Sequence, residues 1–295
     1  MTVNRNHFKR SYRNLPQWDC PTCGKGHLIV VPEKTAIEET GPSKRAHGHD
    51  DWDPDWIVER FAMLMKCNFA SCGEIAAVSG DAYFDVCVDV DEEGLYQQKM
   101  VRHYEPFAIL PAPWPIRPAK KTPDAVKEAL KTAAALLWQS PEAAANQVRQ
   151  AVEVLMDAQK VKKRQKVGGK PLRLHARLLE FEKKDATNAE ILRAVKWIGN
   201  DGSHNGGMKR EDVLNAFDMM EMALSNLYDD TTSEILKKVR AVIKSKEKKP
   251  KAKKVSNGKG QSAGAPISNS TTQPTNPAPS GPSPAAAKHS SPSNP

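Results

Sequence analysis

Two cysteine pairs limit what the first third of this chain can become. CPTCG carries Cys20 and Cys23, CNFASCG carries Cys67 and Cys72, and glycine follows each pair at once. Spacings of C-x2-C and C-x4-C put two sulfurs on one tight turn, and two such turns supply the four thiolates of a tetrahedral zinc shell. The glycine lets the chain leave each turn without a Cβ clash. Unrelated buried thiols or disulfides are the competing reading; with no export signal in view, zinc is the better one. A shell of four thiolates has no open position for water, so the single Zn2+ expected here is structural. Cys87 has no partner cysteine nearby and stays outside this set. His47 and His49 could join Asp50 or Asp51 in a second metal site, but a solvated acidic loop is the simpler reading.

Strand-like runs surround the pairs: His27–Val31, Arg60–Lys66, Glu74–Gly80, Ala82–Val90, and a further one within Tyr96–Leu110. In Ala82–Val90 the residues Phe84, Val86, Val88 and Val90 alternate onto one face. The expected arrangement is a small antiparallel β domain of zinc-ribbon type over residues 15–110, with a polar insertion at 33–56, behind a flexible N-terminus at 1–14. A stiff proline-rich connector, 111–121, follows. Helical signals then fill 122–244. Thr122–Pro123 and Ser140–Pro141 each read as an N-cap followed by an N1 proline. A third helix follows Pro171, Thr187 with Glu190 reads as a capping box, and Gly199 is placed to end that fourth helix. The fifth is expected over about Lys209–Tyr228 and a last one over Ser233–Ile243. The fold class is α+β: an antiparallel β zinc ribbon, then an all-α bundle of four to six helices with short links.

The charge is unevenly spread. The chain has 44 basic and 35 acidic residues, yet from Arg240 to Pro295 ten basic residues face one acid, Glu247. Residues 1–239 are therefore neutral, and the basic balance says nothing about a folded nucleic-acid domain. The Lys-rich, then Ser/Pro/Ala-rich segment 245–295 is expected to be disordered. It can touch nucleic acid or acidic partners by electrostatics alone. No apolar run reaches the roughly 20 residues that span a bilayer. The N-terminal residues have no apolar secretory core. No membrane association and a cytoplasmic location are the expectation.

A helix carrying Ala145, Arg149 and Glu153 (A-x-x-x-R-x-x-x-E), a basic linker, a Leu-rich helix and then GNDGSH form a recognisable series. It resembles the domain-of-unknown-function family numbered 4145, over roughly Pro106 to Tyr228. Its most specific element is Gly199, Asn200 and His204 in GN-x-x-x-H. The resemblance implies a four-helix bundle of the HEPN superfamily, whose members occur alone, beside zinc ribbons and fused to restriction-type helicase subunits. It also implies a defence or toxin–antitoxin setting, RNA or DNA as ligand, a protein partner encoded nearby, and a homodimer through the bundle. HEPN ribonucleases cut RNA without metal, using an Arg and a His with four to six residues between them. In this chain those places before His204 are held by Gly199, Ile198 and Trp197, with Lys196 one step further away. The reading is therefore a noncatalytic module that binds nucleic acid or a partner, through Gly199, Asp201, Ser203, Arg149 and Glu153. The alternatives are a metal-independent endoribonuclease, with His204 as acid/base aided by Lys196 and Asn200, and a purely structural dimerisation or regulatory protein.

Overall fold

A computed structural model describes residues 3–90, 94–165, 168–204 and 207–247 of the 295. Four strands, β1 (Leu28–Glu39), β2 (Val58–Cys67), β3 (Ile75–Val90) and β4 (Tyr96–Leu110), form one antiparallel meander in sequence order. Period-two alternation turns Phe61, Met63, Met65, Val78 and Ile109 into the core. The register sets Leu28 opposite Cys67 and Lys66 opposite Ile75, so one end of the sheet gathers all the turns that bear paired cysteines.

Two expected strands, Glu74–Gly80 and Ala82–Val90, are one. The register against β4 slips between Ser79 and Gly80, and a Cβ on Gly80 would lie 2.0 Å from the Glu105 carbonyl oxygen. Gly80 thus permits a bulge inside a continuous strand instead of ending one. The expected insertion at 33–56 also begins later, because β1 runs on to Glu39. Only then come α1 (Gly41–Ala46) and a 3-10 turn at Pro54–Trp56. The alternating apolar face of β3 is not core. β2 pairs with β3 only as far as Val58 opposite Tyr83, so residues 84–90 and 96–102 project as a two-stranded ribbon. Val86 and Val88 are 46% and 64% exposed there.

The first fourteen residues are not loose in their described part. Phe8 is buried, and Tyr12 pairs with Tyr104 through hydrogen bonds of 2.9 and 2.7 Å. Phe8 and Trp18 pack on Trp138 of the helical region, with ring centroids 5.8 and 5.4 Å apart. Arg5 pairs with Glu211 and Asp218. The proline-rich connector is likewise no free spacer: Pro113, Pro115 and Ile116 are buried. Sheet, connector and helices form one compact unit ending at Lys246.

The helices are α2 (Asp124–Leu136), α3 (Pro141–Ala158), α4 (Leu174–Glu182), α5 (Ala186–His204), α6 (Arg210–Tyr228) and α7 (Asp230–Glu247). Helix α3 packs against α2, α4, α5 and α6, and α5 also meets α4 and α6. Ser140 caps α3 as its sequence suggests, its hydroxyl accepting from the Ala143 amide at 3.1 Å. Pro123, one residue later than expected, stands at the cap of α2. At the start of α5 Asp185, not Thr187, accepts from the Asn188 amide at 3.0 Å. No helix among the described residues is long and apolar enough to cross a membrane. Helix α7 carries the fold past the expected start of the tail at 245, and residues 248–295 lie outside the described residues.

The segment expected to be an inter-helix loop, IGNDGSHNGG, is helical as far as His204. Gly199 does not end α5, because it is the point at which α5 crosses α3. A Cβ there would stand 2.5 Å from the Arg149 Cβ and 2.9 Å from the Ala145 carbonyl oxygen. In an open helix Gly→Ala gains about 1 kcal/mol. Here overpacking against a backbone oxygen costs about 1–3 kcal/mol and reverses the sign. Gly199→Ala is expected to lower the urea midpoint of unfolding; a rise would remove this account of the crossing.

Candidate metal centre and helical groove

The four paired cysteines meet at the sheet end. All four sulfurs lie within 4.8 Å of one another. Cys20 Sγ to Cys72 Sγ and Cys23 Sγ to Cys67 Sγ are both 3.8 Å. A tetrahedral shell with metal–sulfur bonds of about 2.3 Å has edges of about 3.8 Å, so the spacing fits a single ion. Cys20 belongs to the loop before β1, Cys67 ends β2, and Cys72 lies in the β2–β3 turn. Gly24 and Gly73, with φ of 60° and 62°, take the left-handed conformation that reverses the chain after each pair. Backbone amides point at the sulfurs: Lys25 and Gly26 at Cys23, 3.4 and 3.5 Å, and Phe69 at Cys67, 3.5 Å.

These amides and burial pull the thiols apart electrostatically. The Gly26 amide, then the Lys25 amide, hold the Cys23 thiol down at about 6, while burial pushes Cys67 up to about 12. Several thiolates so close together repel strongly unless a cation is among them. Among the described residues one other trio of ligands meets, Asp85, Cys87 and His103, and none forms at His47 and His49. His47 Nε2 lies 2.8 Å from Glu39 Oε1, and the His49 ring is 3.9 Å from Asp51.

The second feature is a groove of about 820 Å³ between α3, α5 and the segment entering α4. Four of the residues singled out in the sequence come together there: Arg149 and Glu153 from α3, Lys196 and Asn200 from α5. Arg149 Nη1 donates to Glu153 Oε1 at 2.8 Å, while its Nε and Nη2 donate to Asn146 Oδ1 at 3.2 and 3.1 Å. Its charge is thus matched within α3. Gly199 lies buried beside this arginine at the helix crossing. Asp201, Ser203 and His204 belong to the last turn of α5, and their side chains lie outside the described residues.

Lys170, Arg173, His175 and Trp197, which belong to none of the sequence motifs, also line the groove. Lys196 is only 9% exposed, and its ammonium lies 3.6 Å from the centroid of the Trp197 ring. Trp197 itself is 57% exposed. A signal was present: Trp197 falls off the apolar stripe of α5, and a large aromatic outside such a stripe calls for a reason.

Residues 6–108 match the family model described as Domain of unknown function (DUF8608), and residues 131–257 match Domain of unknown function (DUF4145). The first match takes in all five cysteines. The second begins inside α2 and runs beyond α7, later at both ends than the Pro106–Tyr228 resemblance. No curated protein and no solved structure matches the chain.

Proposed function

We propose that this chain is a noncatalytic single-stranded nucleic-acid-binding protein. In this reading the four cysteines hold one structural Zn2+ in a fold of zinc-ribbon type, and the helices form a HEPN-like bundle that carries the binding groove. The observation that carries the proposal is the groove itself. Lys170, Arg173, His175 and Lys196 line it together with an exposed tryptophan. Cations that track a backbone beside an aromatic ring that takes a base are the chemistry of sequence-tolerant single-strand binding. Arg149 contributes position more than charge, because Glu153 offsets it.

Salt dependence tests this. Each phosphate neutralised in a single strand contributes roughly 0.7 to the slope of log K against log salt. The triple change Lys170→Ala, Arg173→Ala, Lys196→Ala is expected to flatten that slope by roughly 2 in the full chain. An unchanged slope would assign the affinity to the cations beyond Arg240 and remove the groove from the function.

A further inference from the structure

The projecting β3–β4 ribbon carries metal-ligating side chains that the four-cysteine centre does not use. Asp85 and Cys87 stand two residues apart on β3 and so leave the same face of the strand. His103 joins them from β4, where it pairs with Tyr83 and stacks on its ring at 5.6 Å. One ligand atom from each of Asp85, Cys87 and His103 lies within 4.8 Å of the other two. The donor set is one oxygen, one sulfur and one nitrogen, drawn from two hydrogen-bonded strands.

A second observation, independent of the spacing, points to a bound ion. His103 Nε2 is closed off from solvent and has no hydrogen-bond partner among the described residues. A buried polar atom in that state calls for a partner, and an ion supplies one as a water does. Arg13 Nη2 also donates to Cys87 Sγ at 2.9 Å.

We infer that Asp85, Cys87 and His103 form a second, open zinc site. The mixed donors suit a borderline divalent ion, whereas calcium and magnesium prefer oxygen alone. Three protein ligands are the number found where a tetrahedral zinc keeps its fourth position for an outside ligand. A cavity of about 500 Å³ lined by Arg13, Asn14, Cys87, Lys99 and Arg102 adjoins the sulfur. Within it Arg102 is engaged by Glu59, at 2.6 and 3.0 Å, and Arg13 by the sulfur. Carboxylate and thiolate balance the ion's two charges, and Lys99 beside the cavity favours hydroxide or a small anion at the fourth position. The four-thiol centre is closed, with Cys20 and Cys67 buried; this one has an exposed Asp85 and gives up its ion to a chelator first.

Zinc content of the reduced full chain, reconstituted with zinc alone and freed of excess, decides the matter. Two ions per chain are expected in the unaltered protein, and one in each of Asp85→Asn, Cys87→Ser and His103→Asn, with circular dichroism unchanged. One ion in the unaltered protein that all three variants lose would also support the site, while contradicting the four-thiol centre. Equal zinc in the unaltered protein and the folded variants overturns the inference. Three separate variants guard against one that fails to fold.

Discussion

Cys67→Ser is expected to strip the ion from the four-thiol cluster and to loosen the sheet end around it. Cys67 is 3% exposed, ends β2, and binds the Glu74 carbonyl through its own amide at 2.8 Å. Serine keeps the volume but supplies no thiolate, and three sulfurs hold zinc far less well than four. Structural zinc binding is worth about 10–16 kcal/mol in small domains that fold only around the metal. This sheet also rests on Trp18, Leu28, Phe61 and Met65, which stay packed without the ion. The loss is therefore expected to be a fraction of that figure, about 4 kcal/mol, or a fall in Tm of roughly 10 °C. Zinc analysis and thermal melting check it together. A variant that melts like the unaltered chain would show that the cluster does not staple the sheet.

Trp197→Ala is expected to weaken binding of single-stranded RNA by about 5- to 150-fold, corresponding to about 1–3 kcal/mol for one stacked base. The same change is expected to lower stability by no more than about 1 kcal/mol, because the exposed ring gives up mainly its contact with the Lys196 ammonium. The two readouts separate the roles. Weaker binding with unchanged melting marks Trp197 as a stacking platform. Lower stability with unchanged binding marks it as a packing residue and leaves the groove without its aromatic element. Fluorescence anisotropy with a labelled oligonucleotide, beside a urea titration, supplies both numbers.

Local chemistry was the most legible part of the sequence. The glycine-tailed cysteine pairs announce two turns, and the structure brings their four sulfurs together. Ser140 and Pro141 mark the start of α3 because a hydroxyl acceptor and a missing amide both suit the first helical turn. Features decided by a distant neighbour were not legible. Gly80 and Gly199 both look like breaks, yet each is small because another segment passes close: Glu105 of β4 in one case, Arg149 and Ala145 of α3 in the other. Val86 and Val88 alternate as if half-buried, but β2 is too short to bring a core to their face.

The groove shows the same division. Arg149, Glu153, Lys196 and Asn200 were found through a resemblance, which gave residues but no geometry. What suits them to the proposed role is the company of Trp197, His175, Arg173 and Lys170, and that company depends on how the segment before α4 lies across α3 and α5.

In the proposed reading the groove, not the Lys-rich C-terminal segment, holds the ligand. Its most direct test is photocrosslinking of single-stranded RNA carrying 5-bromouridine to the full chain, with the attached peptide identified by mass spectrometry. The expected adduct lies on the α5 peptide containing Trp197. Adducts confined to residues 248–295 would contradict the claim.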